Sequence, residues 1–482
     1  MKVLRCLMAA MIVVIASSSM AVAATLGDLE RQLKDIQAQI ENLKLEKQEQ
    51  DRRVKEIETA QKEKAMKEAE ALKEQARRGE EQERKTGILA EELEAIKSKF
   101  ILPEKVEYKS IYGLGPAASK VYQVPRGLSL GGYGETNLRL FVDDETGKDK
   151  DVFDFLRFVT YIGYKFADRI ILNSEIEFEH ATTSSTVSAS GGSVSVEFAY
   201  LDFLLADPFN VRAGLVLIPM GFINELHEPT TFLGNIRPEV EQRIIPTTWR
   251  ENGAGFFGTL LPGLEYRTYV VNSLNAKGFS SASDRAARQL GNRAFAEDFA
   301  WTGRLDYTPI PGLLVGGSFF WGNTGQDQEF AGHKIDAPFT LYELHGQYRY
   351  RGLHLRALFA QGHIGDAAIL SQDLVSRGQA ANGPISRRLV GGYVEVGYDI
   401  LPLFLPETTQ SLSPFVRFER FDTQADVPAG FTAAKVNDVA LYTLGLSYKP
   451  IPNVVLKLDY RNFDPEAGQI ADEVNIGFGF IF

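Results

Sequence analysis

Ile171-Leu172-Asn173-Ser174-Glu175-Ile176-Glu177-Phe178-Glu179 is the stretch that decides the fold. In an extended strand, Asn173, Glu175, Glu177 and Glu179 share one side, and Leu172, Ile176 and Phe178 share the other. A dry core cannot hold such a row of carboxylates without partners. The period of two recurs outward in both directions. In Leu128–Val142, Leu128, Leu130, Leu138, Leu140 and Val142 alternate with Glu135, Asn137 and Arg139. In Leu264–Val270, Glu265 and Arg267 oppose Leu264, Tyr266 and Val270, and in Val455–Arg461, Lys457, Asp459 and Arg461 oppose Leu456, Leu458 and Tyr460. The final strand sets Asn475, Gly477 and Gly479 against Val474, Ile476, Phe478, Phe480 and Phe482.

The connections alternate in length. Short ones lie near Ala167–Arg169, Ala206–Asn210, Pro262-Gly263, Pro309–Gly312, Arg351-Gly352, Leu401–Leu412 and Pro450–Asn453. Long ones lie near Asp143–Asp151, His180–Ser193, Pro219–Asn252, Asn272–Asp298, Gly322–Pro338, Gly362–Arg388, Asp422–Asp438 and Asn462–Asp472. Seven short turns and eight long loops require about sixteen antiparallel strands, with both chain ends and all short turns on one side. That is the layout of an all-β transmembrane barrel of the bacterial outer membrane, expected over residues 128–482. A soluble β-sandwich or a secreted solenoid fits less well. Many strands end in aromatic residues suited to an interfacial girdle, among them Tyr161, Tyr266, Trp301, Trp321, Tyr350 and Tyr460. In a closed barrel the apolar face meets outer-membrane lipid and the polar face meets a wet lumen.

Composition agrees. The 482 residues carry 52 Lys+Arg against 63 Asp+Glu, a net charge of −11 that excludes a strongly basic nucleic-acid binder. The single cysteine, Cys6, excludes a disulfide scaffold and a thiolate metal site in the remainder. Residues 1–23 read as a secretory signal peptide: Lys2 and Arg5, then apolar Leu7 to Ile15, then Ala21-Val22-Ala23 for cleavage.

Residues 24–100 change the period from 2 to 3.5. Leu26, Leu29, Leu33, Ile36, Ile40 and Leu43 are spaced 3-4-3-4-3, and Val54 and Ile57 keep the register. This is the seam of an N-terminal α-helical coiled coil that precedes the barrel. Gly79 and Gly87 interrupt the pattern, and Leu89, Leu93, Ile96 and Phe100 restart it. The seam predicts self-association, with two or three helices both open. Residues 1–100 hold 19 Lys+Arg and 19 Asp+Glu; subtracting these from the whole-chain counts leaves 33 and 44 in residues 101–482, so the negative charge belongs to the barrel half. Residues 101–127 are read as a linker of undefined fold.

The terminal Asn475-Ile476-Gly477-Phe478-Gly479-Phe480-Ile481-Phe482 resembles the signal by which the barrel assembly machinery recognises bacterial outer-membrane proteins, with Phe478, Phe480 and Phe482 carrying the likeness. Ala213–Gly221, with Arg237-Pro238-Glu239-Val240-Glu241 and Thr247–Gly255, resembles the phosphate-selective porin O and P superfamily. That resemblance covers roughly residues 125–482. It implies a sixteen-stranded homotrimeric channel in the outer membrane; the coiled coil is expected in the periplasm, because the chain enters the barrel from that side. It also implies that the long loop after the fifth strand folds inward. That loop carries Arg237, Arg243 and Arg250 with Glu239, Glu241 and Glu251, the expected pore constriction. By strand phase, Arg139, Arg267, Arg349, Arg356, Arg417, Glu135, Glu175 and Glu177 are expected on the lumen wall.

The function expected is passive diffusion of small hydrophilic solutes or ions, anions such as phosphate included. The alternative is a structural or adhesive anchor that tethers the coiled coil to the cell wall. No enzyme, cofactor or metal is expected. His227-Glu228 lacks the second histidine of a zinc helix, and the other histidines show no ligand spacing.

Overall fold

A computed structural model describes residues 72–89 and 91, scattered positions between 41 and 70, and residues 109–482 apart from 145, 146, 148, 381 and 382. Residues 1–23, expected to be a signal peptide, and the expected seam positions Leu26, Leu29, Leu33, Ile36, Ile40, Leu43, Val54 and Ile57 lie outside the described residues. Residues 72–89 form one helix that runs through both Gly79 and Gly87. It belongs to a compact unit distinct from residues 97–482. Leu72 and Leu89 are exposed on it, and Arg78–Glu74 and Lys85–Glu81 pair one turn apart.

The second unit follows from the two-residue period. Its strands are β1 (Gly127–Val142), β2 (Val152–Ala167), β3 (Ile170–Glu179), β4 (Val194–Ala206), β5 (Phe209–Leu217), β6 (Arg250–Leu261), β7 (Leu264–Asn272), β8 (Phe299–Ile310) and β9 (Leu313–Gly322). A two-stranded excursion, β10 (Glu329–Phe330) and β11 (His333–Lys334), stands apart in the next loop. The wall continues with β12 (Phe339–Tyr350), β13 (Leu353–Ile364), β14 (Arg388–Tyr398), β15 (Ser411–Asp426), β16 (Asp438–Ile451), β17 (Val454–Pro465) and β18 (Asp472–Ile481). Every wall strand pairs antiparallel with its neighbours, and β1 closes on β18 through Tyr133↔Ile481 to Val142↔Asp472. The sixteen-strand expectation holds. Two loops are shorter than the sequence suggested, because β15 runs on to Asp426 and β17 to Pro465.

The faces sort as the alternation requires. Phe153, Ile162, Leu344, Val394 and Leu444 are exposed on the outside, while Asn173, Glu175, Glu343, Glu419 and Asn475 are buried on the inside. The closed wall leaves none of its sixteen strands with a free edge toward lipid, which is why a sheet can stand in a bilayer at all. Phe482 completes the seam by exchanging two backbone hydrogen bonds with Gly132, of 2.9 and 3.0 Å. Its ring stacks on Phe158 and Phe480 on the outer face.

The lumen is more crowded than an open aqueous bore. Residues 218–249, between β5 and β6, fold inward, and their apolar side chains (Ile218, Met220, Ile223, Val240, Ile244, Trp249) pack against Tyr133, Phe198, Tyr269 and Phe320 of the wall. Residues 109–126, read from sequence as part of a linker, also lie inside, at the short-turn end. Their 3-10 helix, Ala118–Tyr122, touches β1, β2 and β3. Gly163 of β2 leaves room for it: a Cβ there would sit 2.5 Å from Val121 Cγ2. Tyr122 Oη donates to Asp202 at 2.6 Å, and Asn173 donates to Ala118 O at 3.0 Å.

Candidate functional site: a charged loop across the lumen

The inward loop begins after Leu217 at the end of β5 and ends at Arg250, where β6 begins. Its neck is closed by Ile218 N–H donating to Trp249 O at 3.0 Å. Asn224 locks that neck: its amide donates to Ile218 O (2.7 Å) and Trp249 O (2.9 Å), and its carbonyl accepts from Trp249 N (2.6 Å). The far part winds into a single helical turn, α1 (Val240–Arg243), whose first N–H donates to Glu419 of β15 at 3.1 Å.

Charged wall residues fasten the loop around most of the circumference. Arg304 of β8 donates to Gly221 O, and Arg267 of β7 lies 3.4 Å from Glu225. Lys449, Lys457 and Arg417 donate to the carbonyls of Thr230 (2.7 Å), Gly234 (2.8 Å) and Ile236 (3.3 Å). Asp459 accepts from Asn235 N at 2.6 Å. Arg461 of β17 reaches Glu239 at 2.6 Å and Glu473 at 2.8 Å. Such bonds count because both partners are shielded from water, where an unmade bond is expensive. Glu239 shows the balance: burial alone raises its pKa, but Arg461 and Arg243 outweigh burial and hold the carboxyl down at about 2.

The expected constriction residues do not form one ring. Arg237 and Glu239 precede α1, Glu241 and Arg243 lie within it, and Arg250 and Glu251 open β6. Arg243 pairs with Glu239 at 3.0 Å, and Arg250 pairs with Glu197 at 2.9 Å. Glu241 is fully buried, accepting from Tyr393 Oη and Ile223 N, each at 2.7 Å. Glu251 accepts from Asn272 (2.5 Å) and Gln289 N (2.8 Å). Glu241 and Glu251 therefore hold the loop together instead of facing a bore. Arg237 is 7% exposed, and its Nη2 meets no hydrogen-bond partner.

The expected wall residues all point inward, mostly in pairs. Glu135 lies 2.8 Å from Arg157, and Arg157 bridges on to Glu177 at 3.2 Å. Glu175 meets His227 at 3.0 Å. Arg267 pairs with Asp306, and Arg417 pairs with Glu395 (3.1 Å) and Glu419 (2.9 Å). Arg356 donates to Gln347 at 2.9 Å, and Arg139 is 3.8 Å from Glu473. Arg349 stands in a cavity of about 360 Å³ near the short turns, beside His354 and Lys449.

Sequence reasoning missed a second group of arginines. A cavity of about 860 Å³ on the long-loop side is lined by Arg139, Arg243, Arg285, Arg288, Arg461 and Glu239. Arg285 and Arg288 come from the loop between β7 and β8. Among the described residues no carboxylate lies within ion-pair distance of Arg237, Arg285 or Arg288. Burial, then the like charges of Arg237 and Arg157, push Arg285 down to about 10. Burial and Arg285 push Arg288 down to about 9. Both remain cationic at neutral pH. Nothing in a loop without strand periodicity could have signalled where these side chains point.

A closed sixteen-stranded barrel, greasy outside and crossed inside by the loop after its fifth strand, has the fold of the bacterial outer-membrane porins. OmpF of Salmonella typhi, solved with daunomycin, has a TM-score of 0.52 at 13% identity, over 74% of this chain and 98% of that one. An anion-selective porin from Comamonas acidovorans has a TM-score of 0.45 at 12% identity, over 74% and 99%. No family model matches the chain. In sequence, the chain is 38% identical over 375 residues to an uncharacterized protein of Aquifex aeolicus, covering 77% of this chain and 83% of that protein. It belongs to one family with that Aquifex protein.

Proposed function

We propose that the protein is an outer-membrane channel for passive diffusion of small hydrophilic solutes, without catalysis. The observation that carries this reading is the loop of residues 218–249. It packs against the inner wall, is fastened there by charged groups, and has charged cavities on either side. The long-loop cavity is about 860 Å³, and two on the short-turn side are about 360 and 390 Å³. Rings of fixed charge at a narrow passage set ion preference. Arg237, Arg285 and Arg288, short of counter-ions, favour anions such as phosphate on the long-loop side, since guanidinium forks match oxyanion geometry.

In this reading the signal peptide exports the chain, the terminal Phe482 strand engages the barrel assembly machinery, and the protein works as a homotrimer. The helix before residue 100 stands in the periplasm. The test is a planar bilayer. Purified protein gives stepwise conductance, and neutralising Arg237, Arg285 and Arg288 together shifts the reversal potential in a salt gradient. An unshifted reversal potential refutes the role of the three arginines; absence of steps refutes the channel.

A second reading rests on the segment 109–126 packed inside the barrel at its short-turn end. There the barrel is a closed anchor for the N-terminal helix. It gains support if the full chain is silent in the bilayer yet sediments with cell-wall fragments.

A further inference from the structure

We infer that Glu175, Glu197 and His227 form a binding site for a divalent first-row transition cation that clamps the inward loop to the wall. The three residues come from β3, β4 and the loop. All are 3% exposed or less, and one donor atom of each lies within 4.8 Å of the other two. His227 Nε2 is 3.0 Å from Glu175 Oε1 and 3.5 Å from Glu197 Oε2. Donors held at about 2.0–2.1 Å by a tetrahedral ion stand roughly 3.3 Å apart. The two spacings from His227 bracket that value, and the two carboxylate oxygens lie within 4.8 Å of each other.

The outer partners are arranged as metal ligands need them. His227 Nδ1 faces Asn224 O at 3.0 Å, so a neutral ring that donates there leaves Nε2 free to ligate. The same Asn224 locks the neck of the loop, which fixes the ring plane. Glu197 spends Oε1 on Arg250 at 2.9 Å and turns Oε2 toward His227. Glu175 Oε2 and Glu197 Oε2 are buried and meet no hydrogen-bond donor.

The competing occupant is a proton. An imidazolium donates one N–H from Nε2, which Glu175 Oε1 takes. The two Oε2 atoms are then left without a donor, at the usual penalty for buried unpaired oxygen. A cation can reach Nε2 and both carboxylates at once. One imidazole with two carboxylates in a dry site suits zinc, manganese or iron over calcium or magnesium, which take six or more oxygens or keep their waters. The ligands sit at positions 175, 197 and 227 on three separate segments, so no ligand spacing in sequence announces them. The site stands whether or not the barrel conducts.

The test uses the full chain in detergent, stripped with chelator and dialysed against zinc. Elemental analysis is expected to return about one zinc per chain, and X-ray absorption a first shell of nitrogen and oxygen only. Zinc should raise the melting temperature. Glu175→Gln, which keeps the shape and a hydrogen bond to His227, should weaken zinc binding at least ~10-fold and abolish the zinc-dependent rise. His227→Gln should do the same. If His227→Gln misfolds, the isosteric Glu175→Gln and the absorption spectrum of the unaltered protein still decide. Less than about a tenth of an equivalent in the unaltered protein overturns the proposal. So does undiminished stoichiometry in a folded variant, which places the ion on surface histidines.

Discussion

Replacing Arg461 with glutamine should loosen the inward loop from the wall, and two lines of reasoning agree on how much. Arg461 is 1% exposed and bridges Glu239 of the loop to Glu473 of β18. Removing one partner of a buried ion pair typically costs about 3–5 kcal/mol, because the other charge is left uncompensated. The depressed pKa of Glu239 gives a second figure. Its carboxyl is held at about 2 against an ordinary 4.5. A depression of that size is worth about 3 kcal/mol at 1.36 kcal/mol per unit. The sign follows from the depression: Glu239 contributes stability above pH 4.5 and loses it as pH falls through 2. In Arg461→Gln, Arg243 remains as a partial partner, so a loss of about 2–3 kcal/mol is expected at pH 7. It should shrink toward pH 3, where the stranded carboxyl takes a proton. The assay is a double-mutant cycle with Glu239→Gln, read by urea unfolding of the barrel in detergent micelles at pH 7 and pH 3. A coupling energy below about 0.5 kcal/mol at pH 7, or one that grows in acid, refutes the reasoning.

Two further outcomes are expected. Asp284, between β7 and β8, is buried with both carboxyl oxygens unpartnered, and burial pushes it up to about 8. A raised carboxyl stabilises fully below pH 3.8 and less as pH climbs to 8, so Asp284→Asn should raise the melting temperature at pH 8 and leave it nearly unchanged at pH 4; equal effects at both pH values would exclude this. Gly163→Leu puts a Cβ within 2.6 Å of two Val121 carbons, so overpacking of about 1–3 kcal/mol should expel residues 109–126. Trypsin should then cut at Lys120 or Arg126 about tenfold faster, and an unchanged digestion rate would count against the packing described.

The barrel was legible because its rule is local. Glu175 and Glu177 cannot share a strand face with Ile176, so each short stretch declared its own inside and outside. The turn lengths then counted the strands. What stayed hidden depends on distant partners. Strand phase placed Arg461 inward, but nothing near it in sequence names Glu239, more than two hundred residues away. The 3-10 turn of Ala118–Tyr122 is short and without period, and only the gap left by Gly163 explains where it lodges. The hairpin β10–β11 and the helix α2 (Ala367–Ser376) grow from loops whose ends the strands already fix, so their folds added no signal to the alternation. Glu241 looked like a pore charge because loop acids usually face water. Tyr393, far along the chain, is what draws it inward.

The hydrogen-bonded join of β1 to β18 ties the first wall strand to Asp472–Ile481, some three hundred residues further along the chain. A ribosome that halts before residue 472 therefore releases a curled sheet with two raw borders, each able to recruit another unfinished copy. Closure therefore waits on β18, which must dock on β1 and β17 together before either border is covered.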